Sequence, residues 1–353
     1  MATPQEQRTE LSSLGEFGLI DALTKHIQLK HESTIKGVGD DAAVIDTKDK
    51  VSLMTTDLLI EGIHFDMTYM PLKHLGYKAA MVNFSDIYAM NGEPKQMTIG
   101  ISASNRFSVE ALEEIYSGIY LACERYNVDI VGGDTTSSPS GLFISITVIG
   151  EADKDEVVYR SGAKPNDLLC VSGDLGAAYL GLLMLEREKQ VFKADPNMQP
   201  DFKGHDYILE RQLKPEARKD VIRKLKDAQV KPSAMIDISD GLASEILHLC
   251  TKSEVGCHVY EDKIPLDVTT VTAAEELKVE PTIAALSGGE DYELLFTIDQ
   301  KDFELVKNIE GIHIIGHMTD PSEGKFMISR SGTAIQLTAQ GWDAMREEEN
   351  ESN

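Results

Sequence analysis

Residues 235–242 read MIDISDGL, a short apolar run that leads into two aspartates, Asp237 and Asp240. The alternating apolar residues predict a strand over 234–238, and the helical spacing that follows predicts a helix over 242–251. An ionised carboxylate is costly to bury unless a cation or a proton neutralises it. The stretch therefore predicts a strand–turn–helix unit that either binds a cation or forms a solvated turn.

Two other stretches place an aspartate beside small or hydroxyl residues after an apolar strand. TTDLLIEGIHFD at 55–66 carries Asp57, and VGGDTTSS at 131–138 carries Asp134 behind paired glycines that let a phosphate approach the backbone. Ligands bind at strand ends in α/β sheets, and carboxylates that converge there need a cation between them. Oxygen ligands without a cysteine–histidine cluster favour Mg²⁺ over zinc. TTDLLIEGIHFD taken alone is equally compatible with a capped strand end, and VGGDTTSS does not match the usual P-loop.

Further acidic stretches allow both a functional and a structural interpretation. GVGDDAA at 37–43 superficially fits a dinucleotide-binding loop, but its aspartates would stand where the phosphates belong, so Asp41 is interpreted as a turn residue or a metal ligand. Asp86, in NFSDI, is interpreted as a helix cap or a ligand. GDLGA at 173–177 predicts a turn into a helix, and SGGEDYELLF at 287–296 predicts a tight acidic turn before a strand.

Strands and helices alternate along the chain, which is typical of α/β folds. The strongest helix is 109–126, whose apolar residues fall on one stripe, and the polar segment EADKDE at 151–156 is expected to separate two domains. The other predicted helices lie within 11–30, over 72–90, from 173 onward, over 206–228 with an interruption at Pro215, and over 242–251. The predicted strands are 51–55, 97–102, 129–131, 142–149, 168–172, 234–238, 283–286, 292–298 and 313–316.

The composition narrows the possible partners. The 353 residues carry a formal net charge of −25, which argues against binding of nucleic acid or of an anionic membrane through the general surface field. Four cysteines without a CxxC pair indicate a reducing, cytoplasmic compartment rather than a disulfide framework. The start has no apolar signal core, and no apolar run is long enough to predict a membrane span.

Several blocks occur in a fixed order and together resemble a known family. They are LGEFGLID, GDDAA, TTDLLIEGIHF, LGYKAAMVNFSDI, VGGDTT, ISITVIGE, MIDISDGL and GGEDYELLFT. From about Leu14 to Trp342 the chain resembles thiamine-monophosphate kinase, a family within the superfamily of aminoimidazole ribonucleotide synthetase and selenophosphate synthetase. GDDAA or SDGL alone would indicate only the superfamily, whereas LGEFGLID, EGIHF and GGEDYELLFT favour the kinase.

The resemblance implies a two-domain α/β fold of the α+β type, with mixed sheets and flanking helices. It implies an N-terminal domain, 1–151, that carries the metal and nucleotide motifs and a dimer interface, a C-terminal domain, 152–345, and an acidic tail, 346–353. The implied reaction is ATP-dependent phosphorylation of thiamine monophosphate to thiamine diphosphate, by direct in-line transfer with several Mg²⁺ ions. The implied protein is a cytoplasmic homodimer whose N-terminal strands join across the interface.

The resemblance also implies site residues, carried over position by position. The implied metal ligands are Asp41, Thr55, Thr56, Asp57, Asp86, Asp134, Asp237 and Asp240. The implied ATP contacts are Tyr116, Gly133, Arg160 and Ser239, and the implied substrate contacts are His64, Glu290 and Trp342. Core packing for Tyr116, a surface position for Arg160 and packing of the tail for Trp342 are the structural alternatives. No general base is assigned, because a phosphate monoester is mostly deprotonated at neutral pH.

Two other functions stay open on the sequence. One is another ATP-using member of the superfamily with a different small substrate, which the blocks EGIHF and GGEDYELLF and the late tryptophan argue against. The other is a non-catalytic acidic protein that stores divalent cations, which would need carboxylates but no nucleotide loop.

Overall fold

The computed structural model describes residues 22–36, 44–46 and 50–339. The described chain divides into two compact units. The first contains the described residues up to Tyr159 together with 185–201 and 213–231, and the second contains 160–184, 202–212 and the described residues from Pro232 onward. The expected domain limits at 151 and 152 stay a prediction, as does the acidic tail. Asp41, Trp342 and most of the helix predicted within 11–30 lie outside the described residues.

The first unit contains a short ribbon and a four-stranded mixed sheet. The ribbon pairs β1 with β2, and the sheet has the order β3-β6-β4-β5. Strand β6 is antiparallel to both β3 and β4, whereas β4 and β5 are parallel. Because parallel neighbours need a crossover, a helix connects β4 to β5. The bounds are β1 Thr34–Lys36, β2 Val44–Ile45, β3 Val51–Ile60, β4 Glu93–Ala103, β5 Asp129–Ser137 and β6 Leu142–Ala152.

Two long helices pack together beside this sheet. Helix α1 (Leu72–Ala89) is buried on nearly all sides, and α2 (Val109–Tyr126) buries one stripe. The backbones approach closely at two glycines: a Cβ at Gly76 would lie 1.9 Å from the Ile115 carbonyl oxygen, and a Cβ at Gly118 would lie 1.9 Å from the Lys73 carbonyl oxygen. Only glycine fits at these contacts, which bring the Asp86-bearing helix close to its neighbour.

Replacement of Gly118 by alanine is expected to destabilise the protein by about 1–3 kcal/mol, because an added methyl group must push the two helices apart. The free energy of unfolding, measured by urea denaturation, tests this. Glu114→Ala is the matched control, because Glu114 is exposed on the same helix. Equal stabilities of the two variants would show that the helix contact tolerates the methyl group.

One face of the four-stranded sheet is open. Along β3 the side chains alternate, so that Leu53 and Leu59 are buried while Met54 is 76% exposed and Leu58 is 49% exposed. Met54 pairs with Ile149 of β6, which continues the apolar surface on that face. The alternation therefore leaves an apolar surface on an edge strand.

The second unit is built on a seven-stranded mixed sheet of order β13-β12-β9-β11-β7-β10-β8. Only β9 and β12 are parallel neighbours in it. Side chains of helix α6 (Leu242–Ser253), including Ile246 and Leu249, share one buried cluster with sheet residues such as Val171 and Ile236. The strands are β7 Leu168–Ser172, β8 Ala234–Asp237, β9 Gly256–Tyr260, β10 Leu294–Ile298, β11 Ile312–Thr319, β12 Lys325–Ile328 and β13 Ala334–Gln336.

The remaining helices follow the charged and apolar patterns of the chain. They are α3 Ala177–Ala194, α4 Asp206–Leu213, α5 Lys219–Asp227, α6 Leu242–Ser253, α7 Val268–Leu277, α8 Pro281–Ser287 and α9 Phe303–Val306. The interruption predicted at Pro215 separates α4 from α5 and is confirmed. Among the described residues, no helix has the length and apolar character needed to span a bilayer.

The predicted elements agree with the structure in most places and fail at one. The helix at 109–126 and the strand at 168–172 are confirmed. The strand predicted at 283–286 is wrong, because these residues lie in α8, which Pro281 starts at its first helical position. A short apolar run does not by itself distinguish strand from helix.

Two predicted strands are longer than expected. Strand β3 continues to Ile60 and β5 to Ser137, so that Asp57 and Asp134 lie within strands instead of after them. Both are edge strands, where polar side chains can reach solvent, so these aspartates need not end the strand. Strand β8 ends at Asp237, one residue before the end at 238 that MIDISDGL predicts.

Candidate functional site

The predicted metal ligands that the structure describes lie at three places. Thr55, Asp57 and Asp86 lie at the β3 edge of the first unit, and Asp134 lies on β5 at the other edge of that sheet. Asp237 and Asp240 lie in the second unit, at the end of β8 and in the turn before α6. Within residues 22–36, 44–46 and 50–339, no three histidine, cysteine or acidic side chains are grouped closely enough to hold a metal ion by themselves.

The β3 edge brings two carboxylates close together. Because side chains alternate along β3, Thr55 and Asp57 share a face, and the Thr55 hydroxyl donates to Asp86 Oδ2 at 2.5 Å. Burial, with a further contribution from the Asp86 carboxylate, raises the pKa of Asp57 to about 6. Asn83 fixes the strand here, since its side-chain oxygen accepts the Asp57 amide at 3.0 Å. A raised pKa beside a second acid is the electrostatic condition that a bound cation relieves.

The side chain of Thr56 lies on the face of the sheet opposite to the side chains of Thr55 and Asp57. Its hydroxyl donates to the Ile146 carbonyl oxygen at 3.1 Å and accepts from the Thr147 hydroxyl at 3.0 Å. The Thr56 side chain therefore lies on the open face of the sheet, opposite to the side chain of Asp57. Its assignment as a metal ligand stays a prediction.

Asp134 lies far from Asp57 across the sheet. Asp57 pairs with Ile146, Ile146 with Ile99, and Ile99 with Gly133, the neighbour of Asp134. Three inter-strand spacings amount to about 14 Å, too far for both carboxylates to bind one Mg²⁺ ion within this sheet. Gly133 has a structural reason to be glycine, because a Cβ there would lie 2.1 Å from the Ile99 carbonyl oxygen.

The turn after β8 holds a second group of carboxylates. Asp237 is 4% exposed, and Glu245, in the first turn of α6, accepts the Asp240 amide at 3.2 Å. Burial raises the pKa of Glu245 to about 8, and the negative charges of Asp240 and Asp237 add to this rise. Gly241 adopts φ +123°, and a Cβ there would lie 2.7 Å from the Leu286 carbonyl oxygen. The sharp turn thus depends on glycine and concentrates negative charge.

In the acidic turn after α8, the consecutive side chains of Glu290 and Asp291 contact different partners. Glu290 adopts φ 58°, and its carboxylate accepts from Gln212 Nε2 at 2.7 Å. The Asp291 carboxylate is buried and accepts the amides of Gly176 at 2.8 Å and of Ala178 at 3.5 Å. The N-terminus of α3 is therefore capped by a carboxylate of the chain, which favours the interpretation of GDLGA as a plain turn into a helix.

The positive charge of Arg211 offsets the negative charges of the acidic turn. Its guanidinium, in a side chain only 15% exposed, donates to Glu293 Oε1 at 2.9 Å and lies 3.8 Å from Asp291 Oδ1. It also donates to the carbonyl oxygens of Asp174 and Asp291. Burial works against the guanidinium charge, but Glu293 and Asp291 outweigh it and raise the pKa of Arg211. Burial raises the pKa of Asp291 to about 7 even though Arg211 opposes that rise.

Comparison with known proteins identifies the family. Residues 39–152 match the model for the N-terminal domain of AIR synthase related proteins, and residues 164–329 match the model for the C-terminal domain. Thiamine-monophosphate kinase of Bacillus subtilis is 32% identical over 338 residues, covering 94% of this chain and 99% of the relative. The chain belongs to the thiamine-monophosphate kinase family. The enzyme of that name from Aquifex aeolicus is 34% identical over 324 residues, covering 89% of this chain and 99% of the relative.

A solved structure supports the same family assignment. The structure of AaThiL complexed with AMPPCP and TMP is 33% identical in sequence and has a TM-score of 0.73. The alignment covers 95% of this chain and 98% of the AaThiL chain. The predicted fold class, two α/β domains with mixed sheets and flanking helices, is confirmed by the family matches and by this similarity.

The nucleotide contacts that the family implies are placed as follows. Tyr116 is 5% exposed on α2 and borders a groove of about 960 Å³ that is also lined by Lys25, His26 and Tyr120. The same groove carries the glutamates Glu110, Glu113 and Glu114. Arg160 is exposed at the start of the second unit. Ser239 lies in the turn after β8, and its carbonyl oxygen accepts the Glu290 amide at 2.7 Å.

His64, an implied substrate contact, is half-buried just after β3. Its Nδ1 accepts the Ile60 amide at 3.0 Å. An accepting Nδ1 leaves the ring proton of a neutral imidazole on Nε2. In its neutral form the His64 ring therefore carries its N–H at Nε2.

The sequence did not predict several residues that form hydrogen bonds to the candidate site residues. Asn83 precedes Asp86 by one helical turn in NFSD, and Glu245 follows Asp240 within SDGLASE, so both carry a local signal next to a recognised block. Arg211 and Gln212 lie in a charged helix that matches no block. Only the folded chain shows that they contact the acidic turn at 290–293.

Proposed function

We propose that this chain phosphorylates thiamine monophosphate to thiamine diphosphate, with ATP as the phosphoryl donor. The observation that carries the proposal is its similarity along nearly the whole chain to a protein solved with AMPPCP and TMP. Each unit also contains a group of carboxylates at the positions that the family motifs predict, beside side chains that accept hydrogen bonds from the backbone at Asp57 and Asp240.

The acceptor explains why no strong general base is needed. The second pKa of a phosphate monoester is about 6, so that its attacking oxygen is mostly deprotonated at neutral pH. The difficulty is instead that a dianion must approach ATP, and phosphoryl transfer is helped chiefly by positioning and by charge neutralisation. The chain contains no G-x-x-x-x-G-K-[ST] sequence to supply a phosphate-binding lysine.

The carboxylate and hydroxyl oxygens at the predicted positions are ligands that suit Mg²⁺. Mg²⁺ in nucleotide enzymes is usually bound by one or two carboxylates together with substrate phosphates and water, so that small groups of aspartates suffice. We assign Asp57 and Asp86 in the first unit, and Asp237 and Asp240 in the second, as the residues that hold the ions. Thr55, Thr56, Asp134 and Asp41 complete the proposed set. When bound, Mg²⁺ neutralises phosphate charge and acts as a template for the reacting groups.

Other side chains of the chain orient these groups. Asn83 accepts the Asp57 amide and Glu245 accepts the Asp240 amide, which fixes the backbone beneath each carboxylate. We propose that His64 donates from Nε2 to a substrate phosphate. The acidic groove beside Tyr116 would repel a triphosphate and therefore suits the base end of ATP. Gly133, Arg160 and Ser239 stay predicted contacts of ATP.

We propose direct in-line transfer without a phosphoenzyme. In this scheme the acceptor oxygen attacks the γ-phosphorus and ADP leaves, while no side chain of the protein becomes phosphorylated. Incubation with γ-labelled ATP and rapid acid quenching should leave the protein unlabelled. A covalently labelled protein that passes its label to thiamine monophosphate would contradict direct transfer.

We also propose a cytoplasmic homodimer. The open face of the four-stranded sheet exposes Met54 and Leu58 on an edge strand, and a second copy of the same sheet would cover both. All four cysteines are free thiols, as expected for a reducing compartment.

Met54→Asp is expected to weaken the homodimer by about a hundredfold or more, because the substitution places unpaired charges in the interface. Size-exclusion chromatography with light scattering, over a range of protein concentrations, measures the shift to monomer. Val268→Asp introduces the same charge at a position that is 80% exposed in the second unit, and it should leave the dimer intact. A dimer unaffected by Met54→Asp would place the interface elsewhere.

Release of ADP in the presence of different acceptors tests the proposed reaction. With Mg²⁺ and ATP, thiamine monophosphate should stimulate ADP release, whereas thiamine, or EDTA in place of Mg²⁺, should not. Stimulation by another small acceptor alone would support the rival superfamily enzyme. Binding of divalent cations without binding of ATP would support the cation-storage protein.

A further inference from the structure

Glu290 is fixed at both its main chain and its side chain. Its amide donates to the Ser239 carbonyl oxygen at 2.7 Å, which ties it to the turn that follows β8. Its carboxylate accepts from Gln212 Nε2 at 2.7 Å. Glu290 also adopts a left-handed backbone with φ 58°, which turns it apart from the buried Asp291 that follows. The carboxylate is therefore held in a defined position.

Gln212 is itself rigidly placed. It is 3% exposed near the end of α4, next to Arg211. Arg211 ties this end of α4 to Glu293 at 2.9 Å and to the carbonyl oxygens of Asp174 and Asp291. Two consecutive side chains of one helix thus contact the acidic turn, and the Arg211 contacts fix the end of the helix from which the Gln212 amide reaches Glu290.

Arg211 and Gln212, which both donate hydrogen bonds to the acidic turn, differ in charge. Arg211 brings a positive charge to the inner acids, Asp291 and Glu293. Gln212 donates a hydrogen bond to Glu290 without bringing any charge. A neutral donor orders a carboxylate without itself neutralising the carboxylate charge.

We propose that Gln212 is a positioning residue that holds the Glu290 carboxylate to receive the cationic, amine-bearing heteroaromatic end of the substrate. The inference rests on the proposed function and on the substrate contact that the family resemblance implies for Glu290. Gln212 acts through Glu290 and has no part in phosphoryl transfer. Its removal changes recognition of the acceptor and leaves the use of ATP unchanged.

Gln212→Met tests this with nearly the same side-chain volume and no donor. The expected result is a KM for thiamine monophosphate raised about tenfold or more, which corresponds to the loss of one hydrogen bond to a charged group. The KM for ATP and the value of kcat at saturating acceptor should stay within about twofold. Gln300→Met, the same substitution at an exposed position of the second unit, is the control and should change none of these values.

Gln212→Glu is the second variant and decides the question if Gln212→Met does not fold. It keeps the shape of the side chain and places a second carboxyl group beside Glu290. At a pH high enough to ionise both groups the variant has no donor, so that the acceptor KM should rise there in the same way. An acceptor KM within twofold of wild type in either folded variant would overturn the proposal. Equal rises of the acceptor KM and the ATP KM would also overturn it, because they indicate a general structural role.

A double-mutant cycle with Glu290→Gln adds an independent readout. If Gln212 acts through Glu290, then Gln212→Met should lower kcat/KM for thiamine monophosphate much less in the Glu290→Gln background than in wild type. Additive effects would contradict the proposal. Wild-type protein that forms no thiamine diphosphate would refute the proposed function instead, so the two failures are distinguishable.

Discussion

Asp240→Asn is expected to lower kcat for thiamine monophosphate by at least about a hundredfold while leaving the fold intact. Loss of residues that merely orient metal ligands costs roughly 10–100-fold, so loss of a ligand should cost at least as much. The Glu245 carboxylate still accepts the amide of residue 240, because a side-chain substitution leaves that main-chain bond in place. Asparagine keeps the size of the side chain and removes its charge.

The measurement is kcat as a function of Mg²⁺ concentration, together with the circular dichroism of the variant. Asp262→Asn is the matched control, since Asp262 is an exposed acid in the same unit, and it should behave as wild type. Near-normal turnover of Asp240→Asn at low Mg²⁺ would remove Asp240 from the proposed metal ligands.

Arg211→Met is expected to have the largest effect on stability, a loss of about 3 kcal/mol or more in the free energy of unfolding. The substitution leaves Glu293 and Asp291 in a buried setting without the guanidinium that lies 2.9 and 3.8 Å from them. Urea denaturation of the wild type and the variant measures the loss. Arg330→Met removes an arginine whose side chain is 68% exposed and should cost less than about 1 kcal/mol.

The loss in the free energy of unfolding that Arg211→Met causes should grow as the pH rises. Burial raises the pKa of Asp291 in the folded protein to about 7, and removal of Arg211, which opposes that rise, raises the pKa further. An acid with a raised folded pKa favours the folded state at low pH and loses that contribution as the pH rises through the folded pKa. The deficit should therefore be largest above about pH 7 and smaller at pH 5. A deficit independent of pH would show that packing, not charge, accounts for the loss.

The elements with the clearest local patterns could be predicted from the sequence. Helix 109–126 has a complete apolar stripe, a serine cap at Ser108 and a left-handed Asn127 at its end, so both of its limits are encoded locally. Strand β8 ends at Asp237 because the alternating run MIDI gives way there to a turn that requires Gly241. In both cases neighbouring residues in the chain determine the structure.

The supporting contacts of the site could not be predicted, because they join residues far apart in the chain. Asn83 and Asp57 are separated by 26 positions, and Gln212 and Glu290 by 78. Nothing in the charged helix α4 indicates that its last residues contact an acidic turn. The strand extension through Asp57 also escaped prediction, because an edge strand accepts polar residues that a central strand would exclude.

Product identification by ³¹P NMR tests the central claim most directly. Purified protein is incubated with ATP, Mg²⁺ and thiamine monophosphate, and the phosphorus spectrum is followed over time. The expected result is loss of the monoester resonance and equal growth of the two resonances of thiamine diphosphate, in step with ADP and only when Mg²⁺ is present. ADP that accumulates while the monoester resonance stays constant, or no reaction in a folded sample that binds ATP, would contradict the proposed function.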